Sequence, residues 1–340
     1  MTDALQTAPM RLALIVTPHF NLGATTAFLD PFRAANYLDG AAHFAWDIAS
    51  LRGGPCLASN GMSIDTLPLS QLRAGPGDIV LVSSSWTPEA HVSAQLSSAL
   101  WRWARAGVTL GGIDTGAFIL AQAGLLEGRR ATVHYEHMDA FAERFETCTL
   151  SEDLYVLDGN RITCAGGTAA TDFALQLIRA ARGDALASAA ARYVFHAAIR
   201  PPGTGQNAAP AEPLGNAAPG AVKRAIALME KNLETPLPIA QICGRLGISH
   251  RQLNRLFAAF VRKTPALYYR DIRLDRARGL VTQTELAMSQ IALASGFASQ
   301  VHFSRAYRER FGLPPRADRI EGRVPFEFRA WPMHRKARRQ

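Results

Sequence analysis

The residues best suited to chemistry in the first half of the chain are Asp114, Thr115 and Gly116. They separate two apolar segments, VTLGGI and AFILA, in the strand-turn-helix layout that holds the turn residue at the floor of a pocket. Enzymes with this layout carry a nucleophile at the turn, but a carboxylate is a poor nucleophile for amides and no base accompanies it in the sequence. We expect Asp114 to be the counter-ion of a cationic ligand or the cap of the following helix, and the two roles are compatible.

Aromatic rings follow three other predicted strands. Phe20 comes after the first strand, Trp86 comes after three serines, and His134 and Tyr135 come after the segment ATV. Such rings attract alkylammonium groups; each ring alone fits an ordinary core or rim position better, and it is their convergence with a carboxylate that favours a binding site. The sequence therefore predicts a site for a small cationic or zwitterionic amine. Its candidate residues are Phe20, Trp86, Asp114, Thr115, His134 and Tyr135.

Alternating strands and helices must position these residues. Apolar runs predict strands over residues 11–16, 44–50, 78–84 and 108–114, and helical spacing predicts helices over residues 23–38 and 90–105. This alternation indicates an α/β domain with a largely parallel sheet. Ligands of such sheets bind beyond the carboxyl ends of the strands, which is where the candidate residues occur.

A short pattern in the second half of the chain occurs twice, 49 to 50 residues apart. Each copy predicts a helix, a turn at a glycine, a serine N-cap and a second helix, which together make a helix-turn-helix motif. The apolar residues of the second helices are expected to face the core: Leu253, Leu256, Phe257 and Phe260 in the first copy, and Phe303, Tyr307 and Phe311 in the second, with Val301 at the margin.

The opposite faces of these helices carry side chains suited to base edges and phosphates. The predicted DNA-binding residues are Arg251, Asn254, Arg255, Gln300, His302 and Arg305. An arginine-rich helix from about Pro265 to Thr282 would hold the two motifs a fixed distance apart, so that one chain reaches adjacent major grooves.

Charge is divided unevenly along the 340 residues. Residues 221–340 hold 23 Lys and Arg against 9 Asp and Glu, a net charge of +14, whereas residues 1–220 carry −5. A phosphate backbone is the partner that this basic half favours, although an acidic membrane surface would also attract it. With 48% hydrophobic and 19% charged residues, the chain has the composition of a folded protein.

The four cysteines are scattered without a CxxC pair or a Cys/His cluster, so we expect neither a disulfide framework nor a metal site. Cys164 is expected to be a buried, inert thiol, and the acidic and histidine residues of 136–143 to form a solvated helix face. We find no leader and no apolar run near 20 residues, and we expect a cytoplasmic protein without a cofactor or membrane contact.

Two family resemblances follow from these motifs. The runs PLPIAQICGRLGISHRQLNRLFAAFVRKTPALYYRDIRLDRARGL and MSQIALASGFASQVHFSRAYRERFGLPP resemble the DNA-binding domain of AraC/XylS transcriptional regulators. The segments DTGAF, AGLL, ATVHY and DPFRAAN resemble the DJ-1/PfpI, glutamine-amidotransferase-like sensor domain that precedes such domains in one large subfamily. This chain departs from that family at Asp114, because members with a nucleophile have Cys there.

The resemblance implies a flavodoxin-like parallel sheet followed by an all-α double helix-turn-helix domain. It divides the chain into a ligand-sensing and dimerisation domain (residues 1–200), a linker (201–220), the DNA-binding domain (221–318) and a basic tail (319–340). The segments DTGAF and ATVHYEHMDAF resemble those of regulators of quaternary-amine catabolism that respond to glycine betaine or carnitine, and those of a relative that responds to arginine.

We therefore expect a homodimeric regulator, more often an activator of a catabolic operon, that binds double-stranded DNA and RNA polymerase and has no catalytic residues. Two other functions stay open at this point. The first domain would be an enzyme of the DJ-1/PfpI type fused to a DNA-binding domain, or it would serve only to dimerise a constitutive DNA-binding protein.

Overall fold

The computed structural model describes residues 8–206, 219–284 and 286–321, which fall into two compact units. The first unit comprises residues 8–206, and the second lies within residues 219–321. Residues 207–218 of the expected linker and residues 322–340 of the expected basic tail lie outside the described residues.

The first unit is an α/β fold. Its strands are β1 (Met10–Val16), β2 (Phe44–Ser50), β3 (Gly54–Leu57), β4 (Ser63–Pro68), β5 (Ile79–Ser84), β6 (Thr109–Asp114), β7 (Arg130–Ala131), β8 (Thr149–Leu150), β9 (Tyr155–Asp158) and β10 (Arg161–Cys164). Its α-helices are α1 (Leu22–Asp39), α2 (Ala94–Arg105), α3 (Gly116–Gln122), α4 (Met138–Arg144), α5 (Ala169–Arg182) and α6 (Asp184–Tyr193).

Within residues 8–206, eight strands form one sheet in the order β3-β4-β2-β1-β5-β6-β10-β9. The pairs from β4 to β10 are parallel, and only the outer strands β3 and β9 of this sheet run antiparallel to their neighbours. The predicted largely parallel sheet is confirmed. The carboxyl ends of β1, β5 and β6 consequently meet at one edge, where Asp114 ends β6.

Successive residues of the central strands point to opposite faces, and each face is covered by helices. In β1, Leu12 and Leu14 pack with α1, α5 and α6, whereas Ala13 and Ile15 pack with α2, α3 and α4. All four side chains are buried. This burial on both faces explains why the strands are continuous apolar runs rather than alternating ones.

The first unit continues past residue 200 into the segment that the sequence assigned to the linker. Gly205 pairs with Asp153 in an antiparallel bridge, the amide of Leu154 donates to the carbonyl of Thr204, and the amide of Gln206 donates to the carbonyl of Glu152. Residues 201–206 therefore belong structurally to the first unit.

The second unit is helical. Its helices are α7 (Gly220–Glu230), α8 (Ile239–Leu246), α9 (His250–Phe260), α10 (Pro265–Gln283), α11 (Met288–Ala294), α12 (Gln300–Phe311) and α13 (Pro315–Glu321). The first helix-turn-helix is α8 and α9, and the second is α11 and α12. The predicted N-caps are confirmed, because Ser249 accepts from the amide of Gln252 and Ser299 accepts from the amide of His302.

Each motif has its own hydrophobic core, and α10 contributes to both. Tyr269 of α10 packs with α7, α8 and α9, whereas Leu274, Leu280 and Val281 pack with α11 and α12. The long central helix predicted between the motifs is therefore the element that joins them.

The inward faces of the recognition helices were predicted correctly at most positions and wrongly at one. Leu253, Phe257, Phe303 and Tyr307 are fully buried. Phe260 was expected in the core but is 38% exposed, because it is the last residue of α9 and the chain turns away at Val261. Val301, placed at the margin, is 76% exposed.

Candidate functional site

The turn between β6 and α3 has the geometry that the sequence predicted. Asp114 has a φ of 62°, in the left-handed region that non-glycine residues seldom adopt. The backbone is crowded here, since a Cβ on Gly116 would lie 1.9 Å from the carbonyl oxygen of Val82. Asp114 is thus held in a strained turn that packs against the neighbouring strand β5, as in a nucleophile elbow.

The carboxylate of Asp114 is buried and is held by polar, uncharged groups. It is 4% exposed, and its Oδ2 accepts a hydrogen bond of 2.8 Å from the Asn21 side chain. Burial raises the pKa of Asp114 to about 6, against the opposing effects of His134 and of the hydrogen bond from Asn21. The helix cap is Thr115, the next residue, so Asp114 does not occupy the N-cap position of α3.

Two of the predicted ligand residues, Thr115 and Phe20, are fully buried in the protein interior. The hydroxyl of Thr115 is fully buried and donates to the carbonyl of Ser85 at 2.5 Å, which ties the turn to the end of β5. Phe20 was expected in the pocket wall, but it is fully buried with Val16, Cys56 and Ala58. The residues after β3 cover the end of β1 and enclose that ring.

Three other predicted ligand residues do reach the surface of the same edge. His134 is half-buried, Trp86 is half-buried, and Tyr135 is 53% exposed. The rings of His134 and Tyr135 lie 4.5 Å apart, and the amide of His134 donates to the carbonyl of Asp114. The structure therefore brings His134 next to Asp114 through this backbone hydrogen bond, and Tyr135 next to His134 through the ring contact.

Three residues of this edge were missed in the sequence. Asn21 is the N-cap of α1 as well as the partner of Asp114, and His19 precedes it with a φ of 63°. His91 ends a short 3-10 helix after β5; burial lowers the pKa of its imidazole, and His19 lowers it further. The sequence signal was present for His19 and Asn21, because both flank Phe20 just after a predicted strand.

Cys164 and His137 are both buried. The Cys164 thiol is fully buried, and burial raises its pKa to about 12, so it stays protonated and inert as expected. His137 corrects the expectation of a solvated face, since it is buried against Phe118 and its pKa falls to about 3. Among residues 8–206, 219–284 and 286–321, no group of three or more His, Cys, Asp or Glu side chains is arranged to hold a metal ion.

A separate groove of about 700 Å³ lies at the opposite edge of the sheet, beside the amino ends of β1 and β5. Arg11, Arg73 and Arg102 contribute to its lining, together with Asp78. The carboxylate of Asp78 accepts hydrogen bonds from the backbone amides of Arg11 and Gly75. A groove whose charged lining residues are three arginines and one hydrogen-bonded aspartate does not suit a cation, so the edge at Asp114 is the better candidate for an amine.

In the second unit, the predicted base-contacting residues share the outer faces of α9 and α12. Arg251, Arg255, Gln300, His302 and Arg305 are exposed, and Asn254 is half-buried. The amide nitrogen of Asn254 lies 3.1 Å from Nδ1 of His250, so these two side chains form one polar pair on α9. The opposite faces of these helices are fixed in the core by buried side chains. These are Leu253 and Phe257 in α9 and Phe303 and Tyr307 in α12.

The chain matches known families over both units. Residues 11–180 match the DJ-1/PfpI family, and residues 226–320 match a helix-turn-helix domain. The HTH-type transcriptional regulator CdhR of Pseudomonas aeruginosa is 40% identical over 90% of this chain and 90% of its own length. The chain is an AraC-type transcriptional regulator of the DJ-1/PfpI family.

Further relatives agree with this assignment. The HTH-type transcriptional regulator GbdR of Pseudomonas aeruginosa is 35% identical over 92% of this AraC-type chain and 84% of its own length. A THiJ/PfpI family protein from Pseudomonas syringae has the same fold, with a TM-score of 0.51 at 21% identity, over 78% of this chain and 93% of its own. CdhR and GbdR are named as regulators and not as enzymes. This agrees with the presence of Asp, and not Cys, at position 114.

Among the residues described, each helix is either too short or too polar to cross a bilayer.

Proposed function

We propose that this regulator binds a small cationic or zwitterionic amine beside Asp114 and, with the amine bound, activates transcription of a catabolic operon. The observation that carries the proposal is the buried carboxylate of Asp114, which accepts hydrogen bonds from the neutral groups of Asn21 and Ser85. A buried carboxylate is stabilised strongly by a cation, and a ligand cation would supply that charge.

The surroundings of Asp114 support an alkylated amine. The rings of His134 and Tyr135 lie 4.5 Å apart, tilted by 35°, at the same edge, and Trp86 follows the neighbouring strand β5. Aromatic faces attract quaternary ammonium groups, which cannot donate hydrogen bonds to a carboxylate and depend on such faces. The resemblance of DTGAF and ATVHYEHMDAF to regulators of quaternary-amine catabolism supports the same class of effector, and arginine is the alternative.

On the DNA side, we propose that Arg251, Asn254 and Arg255 contact one major groove and Gln300, His302 and Arg305 the next. Activation further requires contact with RNA polymerase, and a homodimer in the cytoplasm is the working form that we propose. The four sections of the chain keep their proposed roles: sensing and dimerisation, connection, DNA binding and a basic tail.

Calorimetric titration of the full chain tests the proposal. Glycine betaine, carnitine, dimethylglycine, sarcosine, choline and arginine are each titrated into the wild type, Asp114→Ala and Asp65→Asn. Asp65 is the matched control, because it is an exposed acid of β4 in the same unit. We expect saturable binding of one amine by the wild type and the control, and none by Asp114→Ala. Binding that survives in Asp114→Ala, or a folded wild type that binds none of the six, would overturn the amine site.

A further inference from the structure

One peptide group touches both the effector edge and the point where the chain leaves the first unit. The amide nitrogen of His134 donates to the carbonyl of Asp114, 3.3 Å away. The carbonyl of the same peptide belongs to Val133, and it accepts a hydrogen bond of 2.8 Å from the side chain of Gln206. Because a peptide group is planar, a rotation that shifts one of these contacts shifts the other.

Gln206 is the last described residue before the connection to the second unit. Its side-chain nitrogen also lies 2.9 Å from Oγ1 of Thr132 and 3.3 Å from the carbonyl of Asp153, and its backbone amide donates to Glu152. All of these acceptors lie in residues 132–133 or in residues 152–153. The end of the first unit is therefore hydrogen-bonded to residues 132–133, which lead directly into His134 and Tyr135.

A second anchor lies six residues earlier in the chain. Asp172 is fully buried and accepts from the Arg200 side chain at 2.8 and 2.6 Å, from the Arg200 amide at 2.7 Å and from His196 at 2.7 Å. A buried, charge-assisted cluster of this kind is costly to break, whereas the neutral contacts of Gln206 are weaker. Residues 201–206 can thus detach while Arg200 stays in place.

We propose that the Val133–His134 peptide couples the amine site to the interdomain connection. An amine that engages the His134 ring turns this peptide, weakens the Gln206 contacts and frees residues 201–206. This inference rests on the proposed function for its trigger, but the coupling itself is a property of the protein without a ligand. By linkage, detaching Gln206 changes the affinity of the amine site by the same factor.

Amide hydrogen exchange of the full chain without any amine tests the coupling. Gln206→Glu replaces the donating amide with a carboxylate that faces three acceptors, and Gln206→Leu removes the donor without adding charge. The matched control is Gln71→Glu, since Gln71 is exposed in the same unit. Both Gln206 variants are expected to accelerate exchange of the His134 amide about tenfold, roughly the effect of one lost hydrogen bond. Faster exchange at Leu154 and residue 206 with an unchanged His134 amide would overturn the coupling.

A reversible crosslink provides the second measurement. Asp153→Cys combined with Gly205→Cys joins the antiparallel bridge pair, and the four natural cysteines are buried, so the new pair is the accessible one. We expect the oxidised protein to lose its response to glycine betaine in an in vitro transcription assay and the reduced protein to recover it. An oxidised protein that responds in full contradicts release of residues 201–206. Calorimetry can find no amine binding while the Gln206 variants still accelerate exchange of the His134 amide. In that case the proposed effector is wrong and the coupling stands.

Discussion

The guanidinium of Arg273 donates a hydrogen bond of 2.8 Å to the carbonyl of Gly296, across the two cores of the DNA-binding unit. Arg273 lies on α10 and its charge sits 5.6 Å from the Tyr269 ring of the first core and 4.8 Å from the Phe297 ring of the second. Gly296 is itself pressed against the first core, because a Cβ there would lie 2.4 Å from the carbonyl of Leu233. These contacts fix the turn of the second helix-turn-helix relative to the first.

Arg273→Ala is expected to lower the free energy of unfolding of the second unit by about 1.5–3 kcal/mol, since a charged hydrogen bond and two ring contacts are lost. Binding to DNA that spans both motifs should weaken more than binding to random DNA. Arg273→Lys should recover only part, because an ammonium lacks the planar fork. The measurements are urea unfolding followed by far-ultraviolet circular dichroism and a DNA-binding titration. Arg316→Lys, at an exposed position of α13, is the control and should change neither.

Arg251→Ala and Arg305→Ala are each expected to weaken specific DNA binding by about 1–3 kcal/mol, because each removes a donor from a recognition helix. Their exposure predicts little effect on the fold. Titrations against the selected operator and against random DNA, each at two salt concentrations, separate the roles. An equal loss on both DNAs would show that these arginines hold phosphates only.

Asp114→Asn is expected to remove a pH dependence from the stability of the first unit. Because the pKa of Asp114 is raised to about 6 in the folded protein, the folded state holds the proton more tightly, and the free energy of unfolding falls as pH rises from about 4 to about 6. The full effect is at most about 3 kcal/mol. Trp46, Trp86, Trp101 and Trp103 lie in the first unit and residues 219–321 contain no tryptophan, so tryptophan fluorescence during urea unfolding measures the first unit. An equal slope in wild type and variant would contradict the raised pKa.

The same titration predicts how an amine would bind. Only the ionised carboxylate attracts a cation, so the dissociation constant for the amine should rise about tenfold for each pH unit below about 6 and stay constant above it. Calorimetry from pH 5 to pH 8 checks this. A dissociation constant that does not change across that range would mean that another group holds the ligand.

Gly116→Ala is expected to destabilise the first unit by about 3 kcal/mol or more, because the new Cβ meets the carbonyl of Val82. Gly75→Ala is the matched control, since a Cβ there has no neighbour within 4 Å. Tryptophan-detected unfolding of the two variants compares them. Similar stabilities would show that the strand and the elbow can separate without cost.

Phe257→Ala and Phe260→Ala test the correction to α9. Phe257 is fully buried and its loss should cost about 3–5 kcal/mol, whereas the half-exposed Phe260 should cost less than about 1.5 kcal/mol. Circular dichroism during urea unfolding measures both. A large loss at Phe260 would indicate that a partner surface covers it.

The elements and the elbow were predictable from sequence because their signals are local. The run into Asp114 and the repeated glycine and serine positions of the two motifs are patterns within a few residues. Asn21 could be placed after a predicted strand, but its hydrogen bond to Asp114 could not be predicted in the same way, because the two residues are 93 positions apart in the chain. Phe20 was misassigned for a related reason, since the segment that encloses it, around Ala58, closes only when β3 folds back. Phe260 fits the helical spacing of the buried residues of α9, but it is the last residue of the helix and no core packs over it.

Release of the antiparallel pairing between Gly205 and Asp153 would also lengthen the connection between the sensing unit and the DNA-binding unit. Six residues released from the first unit extend by about 20 Å at most. Along B-form DNA, with one base pair per 3.4 Å of axis, that length corresponds to about six base pairs. A promoter whose half-sites differ in spacing by half a helical turn would therefore distinguish a regulator with this strand paired from one with it free.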